Sequence, residues 1–158
     1  MIGLHCESII KGINMADYHT GGHAIYDIQY HFVWITKYRY PVLCGEIGVR
    51  ARELIRQICM SRDVSIIKGN MSKDHVHLLV SCPPTLSPAK VVQYINGASS
   101  RKLQNEFPDL KKRYWGQHFW ARGYFCATVG SVTDEQIRAY IEKHMEADPS
   151  ENFKIDGD

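Results

Sequence analysis

Stretches of strand and helix periodicity follow one another along this chain as strand, helix, strand, strand, helix, strand, helix, and that order narrows the available folds more than any other feature. Tyr26 to Thr36 alternates, with Tyr26, Ile28, Tyr30, Phe32 and Trp34 on one face and Asp27, Gln29 and His31 beginning the other. Lys37-Tyr38-Arg39-Tyr40-Pro41 ends it, since Pro41 has no amide hydrogen for a ladder. Gly45 to Ser61 carries a helical apolar stripe of Ile47, Leu54, Ile55 and Ile58. Strands follow at Val64 to Asn70 and Val76 to Ser81, with a bend or bulge expected at Gly69-Asn70. Ser87 and Pro88 open a second helix that Phe107-Pro108 stops. Tyr124 to Val129 is the fourth strand. Thr133 with Gln136 forms a capping box for a last helix reaching about Met145. The first six elements form a split βαβ pattern. The fold class expected is α+β and ferredoxin-like: a four-stranded antiparallel sheet, two helices on one face, and one further C-terminal helix.

With 158 residues the chain supports one domain with a real core. The segment 1–24 has little periodicity and reads as an extension, poorly ordered or docked late; Met15 is an alternative start. The five cysteines are odd in number and form no Cys-x-x-Cys pair, which argues for reduced thiols, a cytoplasmic location and no disulfide frame. No apolar run has the length of a membrane span, and no signal peptide opens the chain. Net charge is only +2, but its distribution is uneven. Arg101, Lys102, Lys111, Lys112, Arg113 and Arg122 face only Glu106 and Asp109 between Ser100 and Gly123, whereas the C-terminus is acidic. A basic central face suits an anionic partner, although plain globular surfaces show it too.

Three places carry chemistry. In Asp74-His75-Val76-His77 the two imidazoles lie on one face of a strand, roughly 6.5–7 Å apart. They can converge on a metal ion if a third ligand arrives from elsewhere; an isolated pair of this kind is more often surface or satisfied core histidines. In the last helix Tyr140 and His144 are spaced i, i+4 and share a face, away from Ile137 and Ile141. The bland alternative is a tyrosine packed on the sheet and an exposed histidine near a helix C-terminus. From Lys111 to Phe125 cations interleave with aromatic rings, the combination that single-stranded nucleic acid requires, with Phe119 and Phe125 as core candidates.

Taken together, these residues resemble the single-tyrosine HUH transposases of small bacterial insertion sequences. The resemblance rests on Asp74-His75-Val76-His77, on Tyr140-Ile141-Glu142 after Gly130-Ser131-Val132-Thr133, on Tyr30-His31, Trp34 and Lys37-Tyr38-Arg39, and on Gly97-Ala98-Ser99-Ser100-Arg101 and Tyr114-Trp115-Gly116. It runs from about Tyr26 to Met145 in order. It implies a transposase domain over 25–148, followed by an acidic tail over 149–158. It further implies a divalent metal, Mg2+ or Mn2+, held by His75, His77 and a third ligand, with Tyr140 attacking a phosphate of single-stranded DNA. A 5′-phosphotyrosine and a free 3′-hydroxyl result, so the chemistry is strand transfer more than hydrolysis. The family commonly carries Gln where this chain has His144, and imidazole is a competent replacement ligand. Magnesium prefers oxygen ligands, so three histidines should favour manganese or another transition ion more than a Gln-bearing site would. The resemblance also implies subterminal hairpins as targets and a homodimer whose sites combine the tyrosine helix of one subunit with the histidines of the other, Gly130 being a plausible hinge. Lys37, Arg39, Arg101, Lys102 and Arg113 are the expected DNA contacts.

Other readings remain open. A domesticated relative that processes palindromes would show the same residues. A non-catalytic single-strand binding module on the same sheet would not need His75, His77 and Tyr140 together. A zinc hydrolase would keep its activity in Tyr140→Phe.

Overall fold

In the computed structural model, residues 18–116, 118–128 and 134–147 are described, with the side chains of Asp134 and 143–147 excepted. The elements are β1 (His19–Gly21), β2 (Ala24–Tyr26), β3 (Gln29–Ile35), a 3-10 turn (Lys37–Arg39), α1 (Gly45–Ser61), β4 (Ser65–Met71), β5 (His75–Ser81), α2 (Pro88–Glu106), α3 (Pro108–Arg113), β6 (Phe125–Ala127) and α4 (Asp134–Ala147). The main sheet has the order β4-β5-β3-β6, and every pairing in it is antiparallel. This is the expected ferredoxin-like arrangement.

The strand alternation splits the core in two. Phe32 and Trp34 of β3 and Val76, Leu78 and Val80 of β5 are buried beneath α1 and α2, with Leu54, Ile55, Val91, Val92 and Ile95. The opposite face holds a smaller apolar cluster in which Val33 and Ile35 meet Ala121, Ile137 and Ile141, with Phe125 and Tyr140 packed at its margin. α4 therefore docks on the sheet face away from α1 and α2. Ser87 caps α2 as its sequence predicts, its side chain accepting the amide of Lys90 at 3.3 Å.

Three local expectations change. The stretch Tyr26 to Thr36 is not one strand: Tyr26 belongs to a separate hairpin, with Gly22 at φ +54° between β1 and β2. Most of this hairpin falls within the segment 1–24, which the sequence suggests is an extension, poorly ordered or docked late. It is held partly from outside, because the Ser81 hydroxyl lies 3.1 Å from His19 Nε2. The irregularity in β4 falls between Ile66 and Lys68 rather than at Gly69-Asn70. Gly69 instead pairs regularly with Leu78, where an added Cβ would come within 3.0 Å of Leu78 Cδ2. The loop after α2 contains the short α3, which begins at Pro108. Gly130 and the Thr133 cap lie outside the described residues.

Candidate active site

β5 and β3 are the two central strands, and their register sets the site. Val33 stands opposite His77 and Ile35 opposite His75, so both histidines lie on the face that carries α4. They line a cleft of about 430 Å³ together with Asn70, Ile137, Arg138 and Ile141. One wall is thus β5, and the other is the helix that carries Tyr140.

His75 is oriented from behind. Its Nδ1 lies 2.9 Å from Asp74 Oδ1, and Arg39 donates from Nε and Nη2 to Asp74 Oδ2 at 3.1 and 3.0 Å. The His75 hydrogen bond, followed by the Arg39 charge, holds the Asp74 carboxyl below the usual carboxylate range, against the opposing effect of burial. An ionised carboxylate only accepts, so the proton sits on His75 Nδ1 and the lone pair on Nε2. Arg39 reaches Asp74 through the tight turn after β3. Tyr38 and Arg39 adopt φ of 60° and 50° there, and Thr36 Oγ1 donates to the Tyr40 carbonyl at 2.8 Å. Left-handed backbone at two non-glycine residues is strained, and the turn spends that strain on bringing a guanidinium to the site.

His77 has a neighbour that the sequence reading missed. His31 on β3 is diagonal to it on the same face, and His31 Nδ1 lies 3.2 Å from His77 Nε2. His31 is buried, and its Nε2 has no hydrogen-bond partner among the described residues. An orphaned buried N–H is costlier than an orphaned lone pair, which places the shared proton on His31 Nδ1. His77 Nε2 then accepts that hydrogen bond, so its lone pair is engaged by His31. The alternation of β3 already put His31 on the polar face; only the register with β5 brings it to His77.

The remaining site residues divide. Tyr140 is half-buried with its hydroxyl enclosed, its ring 6.0 Å from that of Phe125, and it does not line the cleft. Burial pushes its phenol up to about 12. His144 follows one turn later in α4, with its side chain outside the described residues. Among the described residues no group of three or more His, Cys, Asp or Glu is placed to share an ion. Of the expected DNA contacts, Arg39 pairs with Asp74. Arg113 lies over the Tyr40 ring at 4.0 Å, and Lys37 over Tyr38 at 5.3 Å. Arg101 lines a second cleft between α2 and the loop before β6, while Lys102 lies outside both clefts. The aromatic-basic segment also divides: Tyr114, Phe119 and Trp120 are core, and Trp115 is exposed.

A family model described as "Transposase IS200 like" matches residues 24–144. The chain belongs to this family. The ISDra2 transposase TnpA of Deinococcus radiodurans is 36% identical over 118 residues, covering 75% of this chain and 84% of that protein. The transposase for insertion sequence element IS200 of Salmonella typhimurium is 34% identical over 134 residues, covering 85% and 88%. A crystal structure from Deinococcus radiodurans R1 superposes with a TM-score of 0.73 at 33% identity, covering 79% of this chain and 96% of the other. The IS200-like transposase fold therefore extends over nearly all the described residues. No described helix is long and apolar enough to cross a membrane.

Proposed function

We propose that this transposase cleaves and rejoins single-stranded DNA at insertion-sequence ends near subterminal hairpins, working in the cytoplasm, with Tyr140 as nucleophile. The observation that carries the proposal is the shared cleft, in which His75 and His77 of β5 and the residues of α4 next to Tyr140 form the walls. The donor set fits a divalent ion: His75 offers an Nε2 lone pair with a carboxylate behind its other nitrogen, as metal-binding histidines usually have, and His77 Nε2 becomes a donor once the hydrogen bond from His31 gives way. His75 and His77 would hold it, with His144 as third ligand. When bound, such an ion polarises a phosphate oxygen as a Lewis acid.

The chain's own residues perform the transfer. Tyr140 Oη forms a bond to phosphorus as the bond to the 3′ oxygen breaks; the phenol gives up its proton and the departing oxygen gains one. The 5′ end stays on Tyr140 as a phosphodiester, so an incoming 3′-hydroxyl can reverse the step and join strands. Lys37, Arg39, Arg101, Lys102 and Arg113 supply phosphate contacts. In the docked position the Tyr140 hydroxyl is enclosed against the sheet, so α4 has to shift before it can attack. Redocking of α4 onto a second copy of the chain would give a homodimer with composite sites.

Labelled single-stranded DNA from the flanking locus, hairpin included, tests the proposal on a denaturing gel. The expected result is a protein–DNA adduct that requires added metal, forms better with manganese than magnesium, and is absent in Tyr140→Phe. Cleavage that persists in Tyr140→Phe would mean that water attacks and would overturn it.

A further inference from the structure

His31 occupies a central strand, with Leu79 of β5 opposite it on one side and Ala127 of β6 on the other, and it is only 6% exposed. Buried polar atoms are normally satisfied, yet His31 makes a single ring hydrogen bond among the described residues, from Nδ1 to His77 Nε2 at 3.2 Å. The two ends of that bond differ in freedom. His77 is half-buried and lines the 430 Å³ cleft beside His75, whereas His31 is not part of its lining. The His77 ring can therefore turn toward the cleft, while His31 stays packed within the sheet.

The two cleft histidines are thus held in opposite senses. Asp74 bonds Nδ1 of His75, the nitrogen that an ion would not use, and leaves Nε2 to donate. His31 bonds the nitrogen of His77 that an ion would use. To offer that lone pair, His77 has to turn away from His31. The Nδ1–H of His31 then lies buried with no acceptor, next to an Nε2 that already lacks a partner among the described residues. Stripping a buried donor of its acceptor weakens whatever event requires it, by roughly 5- to 150-fold.

We infer that His31 is a positioning residue that latches His77, covering its Nε2 lone pair, and that the strength of this one hydrogen bond sets how tightly the cleft takes up a divalent ion. The inference rests on the proposed role of His75 and His77 as metal ligands. His31 acts only through His77 and touches neither ion nor strand. His75 offers its lone pair from the outset, and His77 follows when the latch opens. Uptake of the ion therefore depends on further ligands whose binding offsets the loss at His31.

Calorimetric titration of the full chain with Mn2+ tests the sign of the effect. His31→Leu keeps an apolar side chain of similar size in the sheet and removes the donor, so it should bind Mn2+ roughly 5- to 150-fold more tightly than wild type. His31→Asn keeps an N–H at the branch position that Nδ1 occupies and should stay within about 3-fold of wild type. Nitrogen-15 spectra of the histidine side chains, recorded without metal, should show His77 Nε2 as an acceptor in wild type and His31→Asn, with that signature lost in His31→Leu. Where thermal melting shows His31→Leu unfolded, His31→Val takes its place with the same expectations. Equal or weaker Mn2+ binding in the folded apolar variant, or a proton on His77 Nε2 in metal-free wild type, would overturn the inference even if the Tyr140 adduct forms normally. No Mn2+ uptake by any of these proteins, with the His77 signature intact, would overturn the metal reading and the inference with it.

Discussion

At Tyr140 the enclosure that packs α4 also suppresses the reactivity of the proposed nucleophile. A phenol pushed up to about 12 is protonated at every physiological pH, so attack requires the proton to be removed as the bond forms. The same shift has a stability consequence with a definite sign. Above the unfolded value near 10 the unfolded chain loses this proton while the folded chain keeps it, so stability falls as pH rises from about 10 to 12. Thermal melts across that window should show a smaller loss in Tyr140→Phe than in wild type. Asp74 behaves oppositely. Its lowered value stabilises the fold above the unfolded value of about 3.9, and that contribution disappears as pH falls through the folded value. Asp74→Ala also leaves His75 Nδ1 without its acceptor, and calorimetric titration with Mn2+ should show affinity roughly 10- to 100-fold weaker than wild type.

At the scale of elements, α2 and the loop before β6 are joined by two hydroxyls. Ser99 Oγ accepts from Trp120 Nε1 at 2.9 Å, and Ser100 Oγ accepts from the Phe119 amide at 3.1 Å. These bonds fix one wall of the second cleft, between α2 and the loop before β6, and continue into the backbone bond from Lys37 to Phe119 and the turn that carries Arg39. Ser99 is fully buried, so Ser99→Ala strands the indole N–H in the core. A loss of about 1–3 kcal/mol is expected from urea denaturation, far more than an exposed Ser→Ala would give. Periodicity located β3, α1, β4, β5, α2 and α4 within a few residues. It missed α3 because six residues hold less than two helical turns of pattern. It merged Tyr26 with β3 because Tyr26 and Ile28 continue the alternation across the point where the pairing partner changes.

At the scale of the molecule, the sheet separates a structural face from a chemical one. α1 and α2 cover one side. The histidines, His31 and the docked α4 occupy the other, with α4 held by Ile137 and Ile141. This second cluster is small, as suits the proposed shift of α4 that would bring Tyr140 to a strand. If α4 serves a second copy, mixing Tyr140→Phe with His77→Ala should recover adduct formation, to roughly a quarter of wild type for random pairing in a two-fold dimer. No recovery would mean that each chain completes its own site. Light scattering of the same samples reports the oligomeric state directly.

The amino-acid order alone determined the split βαβ topology, the His75 and His77 pair on one strand face and the i, i+4 placement of Tyr140 and His144, because each follows from periods of two and 3.6 along a single element. Tertiary structure alone decided what lies between elements. Register placed His31 against His77, a strained turn carried Arg39 to Asp74, and packing sent Tyr114, Phe119 and Trp120 inward while leaving Trp115 outside. Packing also enclosed the Tyr140 hydroxyl, which helical spacing leaves free to point away from the apolar stripe. Such contacts join residues far apart in the chain, and no local periodicity encodes the distance between two elements or the direction in which a side chain closes it.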